Sequence, residues 1–186
     1  MGRLITQSPS SQSPFPNPYL NHSIKFARLL MLKQLEQLTI SADGRYATTE
    51  ELMFLRDYLA TIDLRLSTYQ KIRDAEIEIV DRLQDKMREM KPEIFQTNSG
   101  DRSAKCRRDC QIVLRSASAA LLIDDLDRLK ENILLWQRTI IKAFQLNSLT
   151  EVTYKLMPSI IQEFVTPKEF SLIEPILQLN QTVLTY

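Results

Sequence analysis

Apolar residues recur at three- and four-residue spacings through most of the chain, the period of helices that bury one face. From Ser23 to about Leu38 the residues Ile24, Phe26, Leu29, Leu30, Leu32 and Leu35 predict a helix whose apolar surface is wider than one buried stripe requires. Thr48 with Glu51 reads as a capping box that opens a helix running to about Ala60. Asp63 begins a longer helix carrying Leu64, Leu66, Tyr69, Ile72, Ala75, Ile79, Val80, Leu83 and Met87, and it ends before Pro92. The intervening Arg73, Asp74, Glu76, Glu78, Asp81 and Arg82 are expected to form a solvated face. After a polar turn at Asn98 to Asp101, Ser103 is placed to cap the next helix, whose later half Ser116-Ala117-Ser118-Ala119-Ala120 is built of small residues. Small residues let another helix, or a flat ligand, approach closely.

Asp124 and Asp125 set negative charge at the start of a further helix carrying Leu126, Leu129, Ile133, Trp136, Ile140, Ile141 and Phe144. Two more helical segments follow, one containing Pro158 and one opened by Thr166-Pro167, a threonine cap with a first-turn proline. Seven or eight helices with short connections, and no repeat of 20 to 50 residues, predict an all-α, globin-like fold rather than a solenoid. Residues 1–22, with Ser8, Pro9, Ser10, Ser11, Ser13, Pro14, Pro16 and Pro18, read as a flexible tail; residues 23–186 read as a single domain. Met1-Gly2 with Thr6 matches a myristoylation pattern in form and is taken as chance.

Composition narrows the function classes. With 24 basic and 23 acidic residues the net charge is +1, too small to steer nucleic acid. No apolar run approaches the roughly 18 residues that span a bilayer, and the N-terminus lacks a signal-peptide pattern, so a soluble intracellular protein is expected. The single histidine, His22, lies in the tail, which leaves neither a proximal haem ligand nor a base beside a nucleophile. The 3 glycines leave no phosphate loop. An enzyme is therefore not expected, and neither is a metal site. Cys106 and Cys110, four apart on a helix, form a disulfide only with distortion and lack further zinc ligands.

The run Cys106-Arg107-Arg108-Asp109 carries the chemistry. At about 100° per residue, Cys106 and Asp109 lie about 60° apart on one helix face, with the long Arg108 side chain beside them. A helix's first turn, with Lys105, Arg107 and Arg108 nearby, is a setting that lowers a thiol's pKa. Read with Gly44-Arg45-Tyr46-Ala47, the stretch from Leu52 to Val80, the turn Asn98-Ser99-Gly100-Asp101, Leu114-Arg115 and the Arg138 helix, this C-x-R-D motif resembles phycobiliproteins, allophycocyanin-like members in particular, over roughly residues 30 to 184.

The resemblance implies a globin-like fold with additional N-terminal helices that pack on a partner subunit. It implies a linear tetrapyrrole bilin, phycocyanobilin first among them. Cys106 would hold it by a thioether, Arg108 would take a propionate, and Asp109 would accept from the pyrrole N–H groups. Phycobilisome components are the implied partners, at the cytoplasmic or stromal face of the thylakoid membrane, without a transmembrane segment. Gln111-Ile112-Val113 stands where the family has an aspartate and two tyrosines, Ile141 replaces a tyrosine, Ile123-Asp124 replaces a Gly-Asp turn, and Trp136 falls where a small residue is usual. Near Ser41 to Asp43 the family's interface aspartate has no counterpart without a gap. Two functions stay open: a bilin-carrying antenna or core-like subunit, and a phycobilisome-associated interaction or regulatory protein with little or no bilin.

Overall fold

A computed structural model describes residues 31–97 and 100–185. The expected tail, His22 and the apolar residues Ile24 to Leu30 lie outside the described residues. Helix α1 (Met31–Ser41) buries none of its residues. The chain then reverses at Gly44, whose φ of 74° suits a residue without Cβ. Arg45 fixes the turn, donating to the Ser41 carbonyl at 2.9 Å and pairing with Glu51 at 2.7 Å.

The Thr48–Glu51 box forms reciprocally, Thr48 N–H to Glu51 at 2.8 Å and Glu51 N–H to Thr48 Oγ1 at 3.2 Å. It holds a turn that leads into α2 (Met53–Asp74). No break occurs near Ala60 to Asp63, where the sequence reading ended one helix and began another. Nothing there removes a backbone donor or demands a left-handed residue, so the ladder continues for 22 residues. The change of direction comes instead at Ala75, which separates α2 from α3 (Glu76–Met90) and still bonds the Lys71 carbonyl at 3.0 Å. Two acidic residues of the expected solvated face are tied across to the next long helix: Arg115 grips Glu76 at 2.6 and 2.7 Å, and Arg107 pairs with Asp81.

A 3₁₀ turn at Pro92–Phe95 and a two-residue antiparallel pair, β1 (Gln96–Thr97) with β2 (Gly100–Asp101), lead to α4 (Ser103–Ile123). Its cap differs from the reading. Asp101 accepts from the Ser103 N–H at 2.7 Å and from its hydroxyl at 3.1 Å, so Ser103 is the capped residue rather than the cap. The acidic pair also divides its work. Asp124 ends α4 in the left-handed region and pairs with Arg65 at 3.1 Å, whereas Asp125 caps the next helix by accepting from the Arg128 N–H at 2.7 Å.

That next helix is interrupted. α5 (Leu126–Leu129) passes through a wide π turn (Lys130–Leu134), closed by Leu135 N–H to the Lys130 carbonyl, into α6 (Leu135–Ala143). A constant helical period from Leu129 puts Ile133, Trp136 and Ile140 inside. The extra residue of the π turn moves Leu134, Gln137 and Ile141 inside instead and leaves Trp136 64% exposed. α7 (Asn147–Ile161) carries Pro158 in its last turn, and α8 (Pro167–Thr185) completes the fold. Ile79, Leu83 and Met87 of α3, Leu114 and Leu121 of α4, Met157 and Ile160 of α7, and Ile173 and Leu184 of α8 fill one core. The result is an all-α, globin-like arrangement.

Candidate functional site

The four residues of the motif point in different directions from the first two turns of α4. Cys106 is 6% exposed, and its Sγ lies 3.9 Å from Cys110 Sγ; both cysteines are free thiols. Around them stand Gln84, which donates to the Ser103 carbonyl at 2.8 Å, and Thr153, which donates to Leu149 at 2.7 Å; Tyr154 is buried nearby. The two sulfurs are within reach of an S–H···S hydrogen bond in which either thiol can donate. That hydrogen bond holds the Cys106 pKa below the usual thiol value against the effect of burial, with Thr153 and Gln84 assisting. The same bond, with burial, pushes Cys110 well up. Cys106 is therefore the member of the pair that ionises first.

The expected cations contribute little of this. Lys105 sits over the Phe144 ring, 4.7 Å from its centroid; Arg107 is held by Asp81; Arg108 is exposed with no ion pair or hydrogen bond among the described residues. Asp109 is half-buried and likewise without a partner. Burial raises its pKa, and the charges of Lys105 and Arg108 oppose that rise only in part. A desolvated carboxylate without a donor is unusual, because the charge loses hydration and gains no hydrogen bond in return.

Asp109 also begins a stripe. Spacings of three and four along α4 carry the same face through Ile112 to Ser116, Ala119, Ala120 and Ile123. These small residues form the floor of a cavity of about 470 Å³, closed by Tyr69 of α2 and by Leu129, Asn132 and Ile133 of the interrupted helix. Ser116 lies ten residues beyond Cys106, about 15 Å along the helix axis. The expectation that the small-residue run admits a close neighbour thus leads to this cavity, whose walls come from three separate elements. A second cavity, about 460 Å³ between α1, α2 and α8, is separate from the motif. Neither reaches Cys106, Arg108 or Asp109.

The family-typical positions around the motif are structural. Leu114 and Val113 are buried, Arg115 ties α4 to the start of α3, and Ile141 is buried. Trp136, turned outward, lines neither cavity. Among the described residues, no group of three or more histidine, cysteine or acidic side chains is placed to hold a metal, and no helix is long and apolar enough to cross a membrane. The family model described as "Phycobilisome protein" matches residues 38–180. No curated protein matches the chain.

Proposed function

Since the chain belongs to the phycobilisome protein family, a light-harvesting family whose members in general bind bilins, we propose that it is a bilin-carrying antenna or core-like subunit, with a linear tetrapyrrole attached to Cys106. The bilin, when bound, supplies absorption of visible light. The residues supply attachment, orientation and charge. Asp109 carries the reading: it is a half-buried carboxylate with no donor, on the α4 face that continues into the cavity floored by small residues. Pyrrole N–H groups are donors of the kind it lacks. Arg108, exposed and unpaired, suits a propionate, and the lowered pKa of Cys106 suits a sulfur that forms a thioether. Phycocyanobilin is the bilin proposed. Phycobilisome subunits are the proposed partners, with the protein peripheral to the thylakoid membrane on its cytoplasmic or stromal face and no chemical reaction catalysed.

One observation favours the second reading, a phycobilisome-associated interaction or regulatory protein with little or no bilin. The Cys106 sulfur faces inward onto Cys110 rather than outward beside Arg108. Co-expression with bilin-synthesis enzymes and several lyases separates the two. Under the antenna reading, zinc-enhanced fluorescence on a denaturing gel gives a band for the native sequence and none for Cys106→Ala. Cys110→Ala keeps the band but loads more slowly, since the donor that lowers the Cys106 pKa is gone. A native protein that stays colourless with every bilin and lyase supports the second reading instead.

A further inference from the structure

The two cysteines of this chain, Cys106 and Cys110, stand one turn apart on α4 with their sulfurs 3.9 Å from each other. A disulfide bond is about 2 Å long and holds its Cβ atoms roughly 3.5–4.5 Å apart, whereas positions four apart on a helix keep them about 5–6 Å apart. The side chains already face each other, so the rest of the approach must come from the backbone. That turn lies near the start of α4, and the chain ahead of it is a short 3₁₀ turn and a two-residue strand pair rather than another long helix. Loosening the helical bond between the Cys110 N–H and the Cys106 carbonyl lets the Cβ atoms close, while buried Val113, Leu114, Ala117 and Leu121 keep the later turns in place. The resulting bridge is strained and therefore easily reduced.

The two thiols are unequal. Cys106 ionises first and keeps 6% exposure against 2% for Cys110, so it is the one that meets an oxidant. An opening that small admits a compact uncharged molecule and excludes a peptide disulfide. The hydrogen bond to Cys106 is the largest cause that raises the Cys110 pKa, so oxidation of the Cys106 sulfur removes it and frees Cys110 to act next.

We propose that Cys106 and Cys110 form a peroxide-responsive dithiol that closes to a strained disulfide within α4 and reopens under thiol reductants. The Cys106 thiolate attacks hydrogen peroxide: an S–O bond forms, the O–O bond breaks, and the hydroxide released takes the proton that Cys106 gave up. Cys110 then loses its proton and attacks the Cys106 sulfur. The S–S bond forms, the S–O bond breaks, and the departing hydroxide takes the Cys110 proton, so two thiols are oxidised by two electrons and one peroxide is reduced to two waters. One consequence rests on the pigment reading: the closed form has no Cys106 sulfur free for a thioether, so only the reduced chain takes bilin.

Peroxide titration of the full pigment-free chain, with thiol counting and mass spectrometry after denaturation, tests the closure. The native chain should lose both thiols and the mass of two hydrogens without linking to a second copy, and dithiothreitol should reverse this. In Cys110→Ala, dimedone should trap a sulfenic acid on Cys106; in Cys106→Ala, Cys110 should oxidise at least about tenfold more slowly. A native chain that keeps both thiols, that runs on to a sulfinic acid at Cys106 or that links only to other copies overturns the proposal, as does equal reactivity in the two variants. Loading with bilin and lyase before and after oxidation separates the two readings. A chain that closes and reopens but takes no pigment in either state upholds the thiol pair and counts against the pigment reading; a closed form that loads as fast as the reduced form overturns the blocking step.

Discussion

Glu169→Ala is expected to cost roughly 3 kcal/mol of folding stability, the largest loss from any single polar side chain here. Glu169 is buried at the start of α8, where its carboxylate accepts from Ser67 and Lys71 of α2 at 2.7 Å each. It also accepts from the Thr166 N–H at 2.7 Å and the Thr166 hydroxyl at 2.8 Å. One group thus closes the capping box of α8 and locks that helix to α2. Burial alone would raise its pKa, but Lys71, Ser67 and Thr166 outweigh it and hold the group at about 2. Removal leaves the Ser67 hydroxyl and the N–H and hydroxyl of Thr166, just ahead of α8, without their acceptor; Lys71, partly exposed, can rehydrate, which keeps the loss from rising further. The melting temperature should fall by about 10 °C for a chain of this length.

The pH dependence has a definite sign. The folded pKa is below the ordinary 4.5, so the carboxylate's contribution is fully present above about 4.5 and is lost as pH falls from there through about 2. Acid unfolding of the native chain should therefore steepen in that window, and in Glu169→Gln the steepening should shrink. Urea titrations at pH 7 and pH 3 measure both; a difference under about 1 kcal/mol between native and Glu169→Ala at pH 7 would show that the cap and the α2–α8 lock are redundant.

For Asp109→Ala the expected effect depends on whether pigment is present. In the pigment-bearing protein, loss of the carboxylate should leave the Cys106 attachment intact. It should weaken and broaden the red absorption, because charge-assisted hydrogen bonds of roughly 1.5–3 kcal/mol each no longer hold the conjugated chain extended. In the pigment-free protein the same change should leave stability unchanged or raise it slightly. There the carboxylate is half-buried, unpartnered and raised in pKa by burial, so its charge opposes folding above its pKa rather than assisting it. Absorption spectra and thermal unfolding of both forms make the comparison. An unaltered spectrum would mean that the carboxylate does not meet the pigment, and a clear loss of stability in the pigment-free form would mean that it serves the fold.

How much of this was legible in the sequence follows from what each feature depends on. α3 was readable because Ile79, Val80, Leu83 and Met87 keep one unbroken period and all four are buried. The box at Thr48–Glu51 and the threonine cap at Thr166-Pro167 were readable because caps are local chemistry, whereas Glu169 as the reciprocal partner of Thr166 was not read. The break at Ala75 was not, since alanine is the best helix former and the turn there is imposed by how α3 packs on α4 and α7. Ser103 was misassigned as the cap because a hydroxyl and the preceding carboxylate both qualify, and only geometry shows Asp101 doing the accepting. At the candidate site, spacing alone put Cys106, Arg108 and Asp109 within one turn. It could not show that Cys106 turns inward to Cys110, since a 60° separation on a wheel is enough to send one side chain into the core and leave the other half in water. Tyr69, Asn132 and Ile133, which close the cavity, come from elements far apart in the chain, and only the small-residue run Ser116 to Ala120 hinted at the space they enclose.

The wide turn at Lys130–Leu134 separates two obligations of one helix. Residues before and within it, Leu129, Asn132 and Ile133, wall the cavity, while Leu134, Gln137 and Ile141 seal the domain interior. An unbroken α-helix would fix the phase between these two sets, so that any change at the wall would rotate the seal with it. One residue of slack uncouples them. Removing one exposed residue such as Lys130 returns the segment to an ordinary α period with Leu134, Gln137 and Ile141 still facing inward, and draws the wall about 1.5 Å along the axis. The shape of this cavity can thus be altered by chain length as well as by side-chain identity, with the hydrophobic interior left as it is.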